Sequence, residues 1–251
     1  MKKIHLLVKK EDIDEEKMAE GDKIAVVFDV LLATTTIVSA LEDGALEVIP
    51  VLSSKEALDV QQNQPDKQII VAGELNAEPV DGLVYPSPLQ LRRLVKGKTL
   101  VLTTTNGTVA LRKSHKANKV YVSSLLNNLA VANKLAGEWQ DETVVVVCSG
   151  NSGEISLEDI YGAGHFISCL LAENIAAEVE LTDAAMAALA MFEGREDQAF
   201  EVLESSYVGR LFARHDAEEE LEFASRKNIV SIVPMLTGEK TILTPVANKN
   251  F

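Results

Sequence analysis

Thr99-Leu100-Val101-Leu102-Thr103-Thr104-Thr105-Asn106-Gly107-Thr108-Val109-Ala110-Leu111-Arg112-Lys113 passes from one kind of sequence to another twice. Thr99 to Leu102 is a short apolar run of the kind buried inside a parallel sheet. Val109 to Lys113 reads as the first turns of a helix. A hydroxyl-rich turn containing Gly107 joins them. A strand that feeds a helix through a tight turn is half of a βαβ unit, so the chain around it is expected to alternate strand and helix. The turn is also chemically marked, because helix starts carry unsatisfied N–H groups and favour anions. The same residues make an ordinary helix cap: Thr and Asn cap, and Gly relaxes the backbone. Both readings stand on this stretch alone.

Outward from it, the alternation holds. Strands are predicted at Ile4–Val8, Lys23–Val30, Glu47–Val51, Gln68–Ala72, Lys119–Val122 and Thr143–Cys148, the last being the most apolar. Helical spacing follows at Ile37–Leu41, Lys55–Leu58, Leu129–Leu135, Ile160–Leu171, Thr182–Met191 and Glu196–Ser205. Ile229–Pro234 reads as a late strand and Thr241–Thr244 as a last edge strand. Residues 11–20 are charged and read as a surface helix or loop. Pro79, Gly82, Pro86 and Pro88 mark an irregular loop over residues 76–90. The expected fold is a layered α/β arrangement around a largely parallel or mixed sheet. One domain over residues 1–251 is expected, with room for two closely packed lobes.

The chain has 251 residues, 47% hydrophobic and 25% charged, a globular balance with enough length for a sizeable core. No apolar run is long enough to cross a bilayer and no secretory leader is evident, so a cytoplasmic protein without a membrane partner is expected. Cys148 and Cys169 give neither a disulfide framework nor a zinc spacing. The net charge of −14 argues against nucleic acid as a partner and means that an anionic ligand would need a local positive feature. A divalent cation held by acidic residues would supply one. The composition leaves the oligomeric state open, a homo-oligomer included.

Three predicted strands end in hydroxyl-rich turns before helices, at 29–36, 102–108 and 148–156, and open α/β sheets bind ligands at strand carboxyl ends. Asp29 ends a buried strand and is suited to metal binding or proton transfer. It would serve equally as a turn cap. Glu158, Asp159 and Asp183 lie at helix starts, where capping alone would account for them. Cys148 is a candidate nucleophile if its thiolate were stabilised, and otherwise a buried core residue. Arg210, beside Gly209, is a candidate anion ligand. The four histidines are scattered and form no ligand pair.

In order, Asp29-Val30-Leu31-Leu32-Ala33-Thr34-Thr35-Thr36, Thr104-Thr105-Asn106-Gly107-Thr108, Cys148-Ser149-Gly150, Ser156-Leu157-Glu158-Asp159, Ala163-Gly164, Asp183-Ala184 and Gly209-Arg210 resemble the 2-phosphosulfolactate phosphatases. The resemblance runs from about Val26 to Pro234, and it implies a three-layer α/β/α fold. It implies a Mg²⁺-dependent phosphatase converting (2R)-2-phospho-3-sulfolactate, a small anionic phosphoester, to (2R)-3-sulfolactate and phosphate. It also implies a link to coenzyme M biosynthesis in methanogens, or to sulfolactate production elsewhere. The candidate catalytic residues are Asp29, Glu158, Asp159 and Cys148. Thr34, Thr35, Thr104, Thr105, Asn106, Gly107, Thr108, Ser149, Gly150 and Arg210 would bind substrate. Asp29, Glu74 and Asp183 would hold Mg²⁺.

Three departures qualify the resemblance. Leu32 stands where the family usually has Arg, Leu75-Asn76-Ala77 replaces Arg-Gly-Gly, and Pro86-Ser87-Pro88 replaces Asn-Ser-Pro. Two expected cations are therefore absent. Either Arg92, Arg93, Arg112 or Arg210 takes over, or the substrate is another small phospho-hydroxy acid, or the chain is a non-catalytic anion-binding homologue.

Overall fold

The computed structural model describes residues 2–173, 179–238 and 240–244. The chain begins with β1 (Lys2–Leu7), a 3-10 turn (Lys10–Asp12), α1 (Glu15–Ala19), β2 (Lys23–Phe28) and α2 (Ala33–Glu42). It continues through β3 (Glu47–Val51), α3 (Ser54–Gln62), β4 (Ile69–Leu75), β5 (Glu78–Pro79), α4 (Pro88–Leu91), β6 (Thr99–Thr103) and α5 (Gly107–Lys113). Next come β7 (Lys119–Val122), α6 (Asn128–Glu138), β8 (Thr143–Cys148), α7 (Leu157–Leu171) and β9 (Val179–Leu181). Helices α8 (Asp183–Glu193), α9 (Ala199–Ser205), α10 (Tyr207–Arg214) and α11 (Glu218–Ala224) precede the hairpin β10 (Met235–Thr237) and β11 (Thr241–Leu243).

All eleven described strands form one mixed sheet in the order β5-β4-β6-β3-β11-β10-β7-β2-β8-β1-β9. Two parallel wings, β4-β6-β3 and β7-β2-β8-β1-β9, flank the antiparallel hairpin. The hairpin touches each wing through one antiparallel pairing, Met235 with Tyr121 and Ile242 with Val48. Thr241–Leu243 is therefore at the seam of the sheet, not at its edge as its position in the chain suggests. The predicted strand at 229–234 is not formed. Val230 donates its N–H to Leu126 O, Val122 donates to Pro234 O, and pairing starts at Met235.

The helices cover both faces and make three layers. On one face Val26, Phe28, Val144 and Val146 pack with Leu135 of α6, Phe166 of α7 and Ala188 of α8. On the other, Ala25, Val27, Val145 and Val147 share a core with Ile37 of α2, Leu111 of α5, and Val48, Leu100 and Leu102 of the second wing. The far side of that wing packs Ile49, Val51 and Val101 against Ala57 of α3. Burial on both faces explains why β2 and β8 read as continuous apolar runs rather than alternating ones. Each such side chain contributes about 1.5–3 kcal/mol on burial, so β8 anchors the larger wing. Because α2 and α5 serve both wings, the carboxyl ends of β2 and β6 come together over them.

Candidate active site

A cleft of about 430 Å³ opens where those strand ends meet. Asp29 after β2, Glu74 at the end of β4, and Thr104, Thr105 and Asn106 after β6 line one part of it. Asn151, Ser152, Glu154 and Ile155, from the loop after β8, line another. Leu31, Leu32, Val208, Leu211 and Phe212 give it an apolar wall. Among the described residues, no Lys or Arg lines it.

The threonines after β2 hold the backbone. Thr34 Oγ1 donates to Asp29 O at 2.9 Å, Thr35 Oγ1 to Val30 O at 2.8 Å and Thr36 Oγ1 to Pro86 O at 2.6 Å. Thr34 and Thr35 are fully buried and line none of the cleft, so they fix Asp29 in place from behind. The Asp29 carboxylate accepts N–H bonds from Ala33, at 3.3 Å, and from Gly107. Burial, reinforced by Glu74 and Glu158, pushes its pKa up to about 7. Glu74 is held as firmly. It accepts from Thr105 N at 2.6 Å, Thr105 Oγ1 at 3.0 Å and Ala77 N at 2.6 Å.

The turn after β6 is largely closed on itself. Thr104 N donates to Thr108 Oγ1 and Thr108 N to Thr104 Oγ1, both at 3.1 Å. Thr105 is engaged with Glu74 and the Gly107 N–H with Asp29. The expected convergence of N–H and hydroxyl donors on a ligand is thus replaced by a reciprocal cap. The side chain of Asn106 differs. Its Oδ1 accepts from Lys10 Nζ at 2.7 Å and Ser152 N at 3.3 Å. Its Nδ2 has no partner among the described residues.

At the end of β8, Gly150 has φ +68, and a Cβ there would meet Glu154 O at 2.6 Å. Asp159, at the start of α7, accepts from Val30 N at 2.8 Å and Gly150 N at 3.1 Å, tying the ends of β2 and β8 together. Burial, then Asp29 and Glu158, raises its pKa well above the carboxylate range. Glu158 is buried beside it and also raised, chiefly by burial, against the hydroxyls of Ser156 and Ser206 and the charge of Arg210. Glu158 and Arg210 share a recess of about 180 Å³ that adjoins the cleft through Asn151, Ile155 and Tyr207. Arg210 is exposed and donates to Ser205 O.

Other predicted residues lie apart from the cleft. Cys148 is fully buried in the core, and burial together with Asp159 and Glu158 drives its thiol pKa well up, the opposite of what a nucleophile needs. Ser149 is buried with its Oγ unpartnered, and its carbonyl accepts from Lys10 N at 3.0 Å. Asp183 is exposed at the start of α8, after the strand at the sheet's margin, and is not among the residues lining the cleft. Of the arginines that might replace the absent ones, Arg92 pairs with Asp43 and Arg112 with Glu56, and Arg93 lines a separate groove.

Sequence reasoning missed Lys10, which reaches Asn106 from the loop after β1. It also missed the α10 wall, Val208, Leu211 and Phe212. The strand order puts β1 beside β8, and only that order shows that the loop after β1 ends at the site.

Among the described residues no three His, Cys, Asp or Glu side chains form a cluster able to hold a metal. Asp29 and Glu74 remain as an all-oxygen pair on one cleft. Glu74 raises the Asp29 pKa, so the two repel. A hard cation that takes a few carboxylates, with water and substrate oxygens completing its shell, suits such a pair and would offset the repulsion.

The family model described as 2-phosphosulpholactate phosphatase matches residues 7–239. Among curated proteins, a probable 2-phosphosulfolactate phosphatase of Clostridium acetobutylicum is 36% identical over 238 residues, covering 94% of this chain and 98% of that protein. Its namesake in Clostridium perfringens is 38% identical, covering 92% of each chain. One from Symbiobacterium thermophilum is 35% identical, covering 88% of this chain and 94% of the relative. These matches do not favour a non-catalytic homologue.

Proposed function

The chain belongs to the 2-phosphosulpholactate phosphatase family, and on that premise we propose that it is a phosphoric monoester hydrolase acting on (2R)-2-phospho-3-sulfolactate in a Mg²⁺-dependent reaction. The observation that carries the proposal is the pair Asp29 and Glu74 on one cleft with the amide of Asn106. The reading also assigns the enzyme to the cytoplasm and to sulfolactate-forming metabolism related to coenzyme M synthesis.

Asp29 and Glu74 would hold the Mg²⁺, each already oriented by backbone N–H groups. When bound, the ion supplies charge neutralisation and Lewis-acid polarisation of the phosphoryl group. Asn106 Nδ2 donates to an anionic oxygen of the substrate. The wall of Leu31, Leu32, Leu211 and Phe212 packs the carbon chain and excludes bulk water, strengthening the polar contacts opposite. Water attacks phosphorus, the bond from phosphorus to the 2-oxygen breaks, and a proton from water ends on the departing alkoxide. No enzyme nucleophile is required, in keeping with the burial of Cys148.

The test is phosphate release from 2-phosphosulfolactate by purified protein, with Mg²⁺ and with excess chelator. Turnover that disappears on chelation and returns with Mg²⁺ is expected. Undiminished turnover in chelator overturns the metal assignment, and no turnover in Mg²⁺ overturns the activity.

A further inference from the structure

The cleft presents carboxylates, neutral donors and an apolar wall to a substrate carrying several negative charges, in a chain of net charge −14. Its positive feature lies one layer back. Lys10 follows β1 on a loop held at both its N–H and its carbonyl. Its N–H donates to Ser149 O at 3.0 Å, and its carbonyl accepts from Lys113 Nζ at 3.2 Å. Its side chain is only 11% exposed, and Glu11 covers the ammonium on the outer side at 2.7 Å. On the inner side Nζ donates to Asn106 Oδ1 at 2.7 Å. Lys9 holds the facing loop through Gly153 O at 2.8 Å, and that loop delivers the Ser152 N–H to the same Oδ1.

Two donors on Oδ1, one of them cationic, fix which way the amide faces. The flipped amide would set its NH₂ against an ammonium and an N–H. The Asn106 Nδ2 is thereby left as a donor on the cleft, polarised by the lysine behind it.

We infer that Lys10 is a positioning residue for the reaction: acting through Asn106, it aims and strengthens the Nδ2 donor that takes an anionic oxygen of the substrate. It supplies from behind the cleft the positive charge that Leu32 does not supply from its wall. The inference rests on the cleft being the phosphatase site.

The experiment combines steady-state kinetics on 2-phosphosulfolactate with inorganic phosphate binding by calorimetry, on the full chain. Lys10→Met should lower kcat/KM about tenfold to a hundredfold, the span of a lost charge-assisted hydrogen bond, and weaken phosphate binding in step. Lys10→Arg should restore both to within a few-fold. Asn106→Ala should cause a similar loss, and Lys10→Met combined with Asn106→Ala should lose no more than Asn106→Ala alone. A merely structural lysine would give additive losses and no rescue by Arg. Additive losses, or a Lys10→Met variant with unchanged kcat/KM, overturn the inference while leaving the phosphatase reading intact. If the wild type binds phosphate in a Lys10-dependent way but does not turn over 2-phosphosulfolactate, the substrate assignment fails and the role of Lys10 stands. Neither turnover nor phosphate binding by the wild type overturns both.

Discussion

Gly107 lies directly against Asp29: a Cβ at Gly107 would fall 2.5 Å from Asp29 Oδ2, and the Gly107 N–H is itself a ligand of that carboxylate. The glycine of the turn after β6 is therefore the floor on which the carboxylate after β2 rests. Gly107→Ala is expected to push Asp29 out of place, lowering kcat/KM more than a hundredfold while costing about 1–3 kcal/mol of stability as an overpacked site. Kinetics and urea unfolding of the same variant check it. Wild-type kinetics with unchanged stability would refute the contact's importance.

Asn106→Ala should separate activity from stability. Of its two bonds at Oδ1, that from Lys10 is part-buried and that from Ser152 N is exposed, so the unfolding free energy should change by no more than about 1 kcal/mol. A full kcat/KM in that variant would remove Asn106 from the site.

Glu74→Gln keeps the shape of the side chain and removes one charge. If Asp29 and Glu74 hold Mg²⁺, the half-activating Mg²⁺ concentration should rise at least about tenfold. An unchanged Mg²⁺ titration would show that Glu74 is not a ligand.

Cys148 is expected to be dispensable for chemistry. Its raised pKa and full burial predict that iodoacetamide leaves it unmodified at pH 8 in the folded protein. Cys148→Ala should keep kcat within a few-fold of the wild type and cost about 0.5–3 kcal/mol of stability from lost packing. Loss of turnover in a folded variant would reinstate the thiol.

His165 is buried between Asn128 Nδ2, at 3.0 Å, and Asn228 Nδ2, at 3.2 Å. Burial, with Lys227 adding to it, lowers its pKa to about 3. The unfolded chain binds a proton here below about pH 6.5 that the folded protein refuses. The contribution is complete above that pH and is lost as pH falls toward about 3, by at most about 1.4 kcal/mol per unit. Asp29 and Asp159, raised in the fold, act in the opposite sense, so the informative quantity is the difference between wild type and His165→Gln. Urea unfolding at pH 8 and pH 5 should show the wild type losing more stability than the variant. Equal losses would mean that His165 is protonated in the fold.

The layered α/β architecture was legible because β2, β6 and β8 are buried on both faces and are followed by turn residues. The turn 104–108 reads in the sequence both as a cap and as a ligand wall; its reciprocal bonds make the cap, and Thr104, Thr105 and Asn106 line the cleft. The donors read as facing a ligand are engaged within the protein: Thr104 and Thr108 bond each other, and Thr105 bonds Glu74, thirty-one residues earlier, a partner the local sequence does not show. Asp183 shares a helix-start pattern with Asp159. What separates them is strand order, which buries one between the ends of β2 and β8 and leaves the other at the sheet's margin. Lys10 carried no signal at all, since a lysine in a charged segment looks the same whether it faces solvent or an asparagine ninety-six residues on.

Every strand of both wings precedes Met235 in the chain, so the hairpin that seams them is the last part of the sheet to be synthesised. A nascent chain extended no further than Ile232 already contains Asp29, Glu74 and Asn106. It also has β3 and β7 each with one margin unpaired. Unpaired strand margins template association with other chains. Until Thr241–Leu243 is made, two completed wings thus keep facing margins open to other chains, and a chaperone that shields them acts on a molecule whose candidate site is already in place.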